Sequence, residues 1–323
     1  MYKLTHLGKY AEKKIRKFQW TNTYGVARSL IATGLFLTLA FNDASSLVQP
    51  LGDQSSEMPA TSEPALMSLS LFKLLNAELA RWISLAILSL VIIGWRPRIT
   101  GILHWYVAFS YAAGAMIIDG GDQVAEVLSL LLVPVTLMDG RKWHWQPAPA
   151  GFDAKETGSA FKALVLLSVF FVIRLQVAFI YFHAGVGKMS VDEWANGTSI
   201  FYWIQSPLFG TTQFLSDLLI PFFAEELVIT TLTWGVMIFE VLLFLGIALS
   251  KKWRPVLLVA GILFHFSIIV LHGLVSFFFS MAGALVLFLG PKKGFKLDWV
   301  KKLVNRSVGS EAPPAEISIQ AVS

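Results

Sequence analysis

The segment that decides the fold is a long apolar run that ends on a single lysine, residues 163–188: ALVLLSVFFVIRLQVAFIYFHAGVGK. An α-helix needs about 20 predominantly apolar residues to cross the hydrocarbon core of a bilayer. Residues 163–183 have that length, and Arg174 and Gln176 interrupt them near the middle. The run therefore predicts a membrane-spanning helix with Lys188 just beyond its end.

The rest of the chain repeats this pattern, with 55% hydrophobic residues, 15% charged residues and a mean hydropathy of +0.63. Further apolar runs lie at 24–42, 82–95, 99–118, 124–139, 229–250, 255–273 and 274–290. The run at 82–95 is short for a span, so we expect its helix to begin within the preceding residues 70–81. The fold class predicted is all-α, a polytopic transmembrane bundle of about eight spans. Cysteine is absent, which excludes disulfides and thiolate chemistry.

The charge distribution predicts the orientation, because cytoplasmic loops of membrane proteins carry an excess of lysine and arginine. With the N-terminus inside, eight spans place all 26 cations on the cytoplasmic side except Lys73, Arg81, Arg174 and Lys188. The acids of the predicted outer connections are Asp43, Asp53, Glu57, Glu63, Asp119, Asp122, Asp192, Glu193, Asp217, Glu225 and Glu226. We therefore expect a multi-pass cell-membrane protein with both termini cytoplasmic and no nucleic-acid partner.

Three regions follow from these patterns. Residues 1–23 predict a basic amphipathic helix on the cytoplasmic leaflet, leading into an uncleaved first span. Residues 24–290 form the predicted transmembrane domain, in which 184–228 is an outer loop or re-entrant segment. Residues 291–323 predict a tail that is first basic and then disordered.

Ionisable residues inside spans are expensive and mark functional interiors by default. Arg174, Glu240 and His265 fall near the predicted midplane, and we expect the arginine and the glutamate to neutralise each other and hold the spans in register. His183 and His272 lie at predicted outer ends of spans. His183 follows Gln176, and His272 follows His265, by seven residues; this is roughly 10 Å of helix, so neither pair holds one metal ion, and we predict no metal site.

Lys188 follows two glycines, Gly185 and Gly187, that allow a tight turn. Apolar neighbours would partly desolvate its ammonium, which is one way a lysine becomes a usable base near neutral pH. The alternative is a lysine that snorkels to the interface at a helix end. Spacing alone does not separate these two roles.

Residues 174–204 resemble the core signature of the HTTM domain family, which includes the membrane part of vitamin K-dependent gamma-carboxylase. The matching residues are Arg174, Gln176, Tyr181, Phe182, Ala184, Gly185, Lys188, Trp194 and Gly197. Weaker similarities lie at 119–135 and 264–289, and the resemblance extends over most of 24–290. In the carboxylase the lysine at this position is the base that deprotonates reduced vitamin K, and the second lysine beside it is Gly187 here.

The resemblance implies the functional assignments. This chain is similar to small family members that lack the carboxylase's soluble domain and act with a small partner, protein A, to mature a sporulation-delaying antimicrobial peptide from its precursor. It makes Lys188 the candidate base and His265, the nearest match to a family histidine, a further catalytic candidate. His183 and His272, at predicted outer ends of spans, are the proton-handling candidates beside the lysine. The resemblance admits a quinone as cofactor, although the residues themselves identify none. The expected partners are the toxin precursor peptide, the small protein and the bilayer. Trp194 and Tyr202 fit interfacial anchors.

Several function classes stay open from the residues, including whether the protein is an enzyme at all. A membrane enzyme with a lysine base and a non-enzymatic scaffold that presents the precursor to proteases are both consistent with them. An intramembrane protease is disfavoured, because the chain has no His-Glu-x-x-His motif and no serine in a Gly-x-Ser-x-Gly context. A transporter is disfavoured, because no inverted repeat is visible.

Overall fold

The computed structural model describes residues 21–48, 65–146, 157–207, 209–291 and 294–295. Over these ranges the regular structure is helical, apart from two isolated β-bridges, Val48–Ala115 and Trp95–Trp143. The helices of 15 residues or more within them are α1 Thr23–Phe41, α2 Ala77–Ile92, α3 Pro97–Gly114, α4 Gly120–Met138, α5 Thr157–Gly187, α6 Glu226–Leu245, α7 Arg254–His272 and α8 Val275–Leu289. The predicted all-α class is confirmed.

Each predicted apolar run corresponds to one of these helices. In the described part of the chain, α1, α4, α5, α6 and α7 are long and apolar enough to cross a membrane by length and composition. α8 is apolar but has only 15 residues, so eight crossings stay a prediction. α2 begins at Ala77, within the residues expected to extend its run. α5 is longer than predicted, because the helix continues through the glycines to Gly187.

The centre of the molecule is α8, which packs against α1, α4, α5 and α7. Its residues 280–289 are all buried. Small side chains let α1 and α8 approach closely: a Cβ at Gly283 would lie 2.5 Å from Ile31 Cγ1, and one at Gly34 would lie 2.7 Å from the Ser276 carbonyl oxygen. Close approach through small residues is the usual way in which membrane helices pack.

Two apolar clusters surround α1. The larger joins α1 to α4, α5 and α8, and the smaller joins it to α2 and α3. The outer face of α7 instead exposes Val256, Val259, Leu263 and Phe266. An apolar face of this kind suits contact with lipid chains, because lipid is as apolar as these side chains.

The segment after α5 is built from short helical pieces at Lys188–Ser190, Asp192–Ala195, Ser199–Ile204 and Gln213–Phe223. Three of these pieces contact α6, which keeps the segment beside the site described below. The basic helix predicted within 1–23 falls almost wholly outside the described residues, as does most of the predicted tail from 291.

Candidate functional site

Lys188 forms a partly buried ion pair with Glu240. Its Nζ lies 2.8 Å and 2.7 Å from the two carboxylate oxygens of Glu240 and donates a third hydrogen bond to the Ala184 carbonyl oxygen at 3.1 Å. The lysine side chain is 24% exposed and that of the glutamate 10%. An ammonium has three protons to donate, and each has an acceptor here.

The pair forms because α5 and α6 cross closely at Gly185. A Cβ there would lie 3.0 Å from Val241 Cγ2 and 3.2 Å from the Met237 carbonyl oxygen. The glycine thus lets the turn of α6 that carries Glu240 lie against the end of α5. Lys188 is the first residue after α5, and its side chain turns back along the helix to reach Ala184.

Trp194 covers the ammonium, with its ring centroid 5.1 Å from Lys188 Nζ, within the range of a cation–π contact. The short helix that carries it ends before Gly197, whose φ of +85° suits glycine. A Cβ at Gly197 would also lie 2.8 Å from Thr230 Cγ2. This glycine therefore holds the tryptophan-bearing turn against α6.

A second polar contact lies deeper, where Tyr181 Oη and His265 Nε2 are 2.9 Å apart. Both side chains are almost fully buried, and the bond joins α5 to α7. Phe264 and Phe277 pack edge-on against the imidazole. Its Nδ1 is buried without a hydrogen-bond partner among the described residues. Two of the predicted site residues are therefore directly paired.

The predicted Arg174–Glu240 pair is wrong. Arg174 Nε instead donates to the Phe288 carbonyl oxygen at 3.1 Å, and the guanidinium lies over the Phe288 ring. The prediction placed both charges at equal depth by counting from span ends. Arg174 precedes Lys188 by 14 residues, about 21 Å of helix rise, and the Gly185 crossing selects the lysine as the partner of Glu240.

The remaining predicted residues lie outside the ion pair. His183 is on an exposed side of α5, and Gln176 is half-buried on the same helix. His272 Nδ1 lies 2.7 Å from the Phe209 carbonyl oxygen, and its ring packs edge-on against Trp203. In the described structure neither histidine is a hydrogen-bond partner of Lys188, whose ammonium instead contacts a carboxylate and an indole.

Two surface grooves have volumes of about 400 Å³ and 340 Å³, and neither is lined by Lys188 or Glu240. Neither of them would therefore hold a quinone against the ammonium. The first lies between α1 and α2, and the second lies beside the N-terminal end of α6. The described residues also contain no group of three or more histidines, aspartates or glutamates placed to hold a metal ion.

The sequence patterns missed a second buried polar region around Arg28. This arginine was counted with the N-terminal cations, but it is fully buried and donates to Thr100 Oγ1 at 2.7 Å. His104 and His144 are also buried. The sequence did contain a sign that Arg28 and His104 are buried, because both lie inside apolar runs. His144 lies in a connection between helices, and its sequence context gave no such sign.

Comparison with known proteins agrees with this architecture. The HTTM domain family matches residues 144–293, a region that contains α5 to α8 entire. The chain is 42% identical over 278 residues to the uncharacterized protein YitO of Bacillus subtilis (strain 168), covering 84% of this chain and 86% of that protein. It is 36% identical over 289 residues to sporulation-delaying protein SdpB of the same organism, covering 88% and 86%. No solved structure matches.

The fold and the partly buried ion pair thus define a multi-pass helical membrane protein with a polar site between two of its helices. The chain belongs to the HTTM domain family, and its likeness to SdpB covers 88% of the chain, which is more than the matched family region.

Proposed function

We propose that this protein matures a secreted antimicrobial peptide from its precursor at the membrane, with the Lys188–Glu240 pair as the working centre. Likeness over most of the chain to a protein named as sporulation-delaying supports the pathway. The observation that carries the proposal is the partly buried pair itself, which contains the lysine matched by the family signature. A small partner protein and the precursor peptide are the proposed partners. The charge distribution supports an extracytoplasmic site.

The pair offers a simple acid–base chemistry. Transfer of one proton from Lys188 Nζ to Glu240 leaves a neutral amine and a carboxylic acid. The contact of 2.7 Å between Lys188 Nζ and a carboxylate oxygen of Glu240 provides a direct path for this transfer. The amine then accepts a proton from substrate, while Glu240 holds the proton that the lysine released. Trp194 would shield the pair from water and would have to move to admit a substrate.

A non-enzymatic scaffold is the second candidate. It is favoured by one observation: every proton of the ammonium already has an acceptor, and the contact joins α5 to α6. A pair of that kind also serves to hold two helices together. In this role the protein would present the precursor to its partner protein and to separate proteases.

The test is the mass of the peptide secreted by cells that carry Lys188→Met, Glu240→Gln or the exchanged pair Lys188→Glu/Glu240→Lys. For acid–base catalysis we expect each single variant to lower mature peptide by a factor on the order of 100 or more at normal membrane abundance. The exchanged pair should not restore it, because the amine has moved to another helix.

A matched control is Glu78→Gln, which breaks the more exposed Arg81–Glu78 pair on α2 and should leave maturation unchanged. Restoration of mature peptide by the exchanged pair would reject catalysis and support the scaffold. Normal maturation in both single variants at normal abundance would reject both roles for this pair.

A further inference from the structure

A groove of about 340 Å³ lies beside the N-terminal end of α6, separate from the ion pair. Phe201, Tyr202, Phe223 and Ile229 give it apolar walls, and Glu226 is the acid in its lining. Tyr202 is 58% exposed, and Glu226 is exposed too. The groove is therefore open and has a charged end.

The segment that lines this groove also carries the residue that covers Lys188. Asn196 and Thr198 line the groove, and the helix immediately before them carries Trp194, the cover of the ammonium. Gly197 fixes this turn against Thr230, which also lines the groove. A ligand in the groove would thus contact the same turn that positions the tryptophan.

The segment between α5 and α6, which supplies most of the groove's lining, is rich in exposed acids. The exposed acids of this outer segment and the start of α6 are Asp192, Glu193, Asp217, Glu225 and Glu226. Lys188 is the one cation within 184–228, and Glu240 already pairs with it. None of the five acids forms an ion pair in the described part of the chain. This potential attracts cations and repels anionic lipid headgroups.

We propose that this groove binds a peptide stretch in which apolar side chains are interspersed with lysine or arginine. The aromatic walls would take the apolar side chains, and Glu226 with Glu225 would take the cations. Resting on the proposed function, this assigns the groove as the docking site for the precursor and gives the chemical class of the segment that it recognises.

The test measures binding to the full chain in phosphatidylcholine nanodiscs. The probe is a short fluorescent peptide of leucine, phenylalanine and lysine, and its counterpart carries glutamate at each lysine position. Empty nanodiscs supply the background. We expect the lysine peptide to bind and the glutamate peptide not to bind above background.

Two variants locate the binding. Glu225→Gln/Glu226→Gln should weaken it about threefold to tenfold, as expected for two partly solvated charge pairs, and Thr230→Trp should weaken it further by filling the groove. Asp217→Asn is the matched control, since Asp217 is an exposed acid that does not line the groove. Equal binding of both peptides, or unchanged affinity in the double variant, would overturn the proposal.

Lys188→Met separates the groove from the proposed function. It should bind the lysine peptide with unchanged affinity while losing maturation. If it binds normally and still matures the precursor at normal abundance, the catalytic proposal fails and the groove stands. If the peptide does not bind although maturation depends on Lys188, the groove proposal fails and the catalytic one stands.

Discussion

His144 is fully buried although it lies in the connection between α4 and α5. Its Nε2 lies 3.3 Å from Ser29 Oγ, and its ring occupies the space that a side chain at Gly25 or Gly94 would need. Burial lowers the pKa of His144 well below its ordinary value, and the charges of Arg28 and Arg141 lower it further. The folded protein therefore keeps this imidazole neutral.

Stability should consequently depend on pH below about 6.5, the ordinary pKa of histidine. The unfolded chain takes up a proton there and the folded chain does not, so the stabilisation is complete above about pH 6.5 and decreases as the pH falls. His144 alone contributes a slope of up to about 1.4 kcal/mol per pH unit. Thermal unfolding in detergent at a series of pH values measures this slope.

His144→Gln should reduce the pH slope relative to the unmutated chain. The slope and not the absolute melting temperature is the criterion, because the substitution also alters packing. Equal slopes in the unmutated chain and His144→Gln would show that His144 titrates alike in both states.

At the scale of elements, glycines decide which helices approach most closely. Gly283 of α8 faces α1, where an added Cβ would lie 2.5 Å from Ile31 Cγ1 and 2.8 Å from the Ala27 carbonyl oxygen. Gly235 of α6 has nothing within 4 Å of the same position. One glycine is therefore closely packed against a neighbouring helix, and the other has open space around it.

Gly283→Ala should destabilise the protein by about 1–3 kcal/mol, since overpacking of a close contact shifts backbone. Gly235→Ala should be neutral or slightly stabilising, because alanine is the better helix former in open space. Melting temperatures of both variants in one detergent compare them. Equal melting temperatures would show that α1 and α8 can move apart with little loss of stability.

At the scale of the whole molecule, the charge distribution predicts which connections face the cell exterior. The chain contains no cysteine, so single introduced cysteines report orientation cleanly. Thr212 and Ser250 are both exposed, in the connections before and after α6 respectively.

A membrane-impermeant maleimide should label Thr212→Cys in intact cells, and should label Ser250→Cys only after the cells are permeabilised. Labelling of Ser250→Cys but not of Thr212→Cys in intact cells would reverse the predicted orientation of α6. Labelling of both variants without permeabilisation would mean that α6 does not cross the membrane.

The sequence by itself determined the helical membrane class, the approximate limits of the long helices and Lys188 as the residue to examine. Apolar runs determine these features because a segment that spans lipid must satisfy its own backbone hydrogen bonds. Each span can therefore be recognised from one continuous stretch of sequence. The family signature added the lysine, the tyrosine and the glycines around it.

Only the tertiary structure showed which residues contact each other across the helices. Glu240 pairs with Lys188 rather than with Arg174 because the crossing at Gly185 sets the register of α6 against α5. Tyr181 meets His265, and His144 fills the space beside Gly25 and Gly94, through contacts between residues far apart in sequence. Depth counted along one helix cannot give such contacts, because the crossing angle and rotation of helices depend on how small and large side chains fit across each interface.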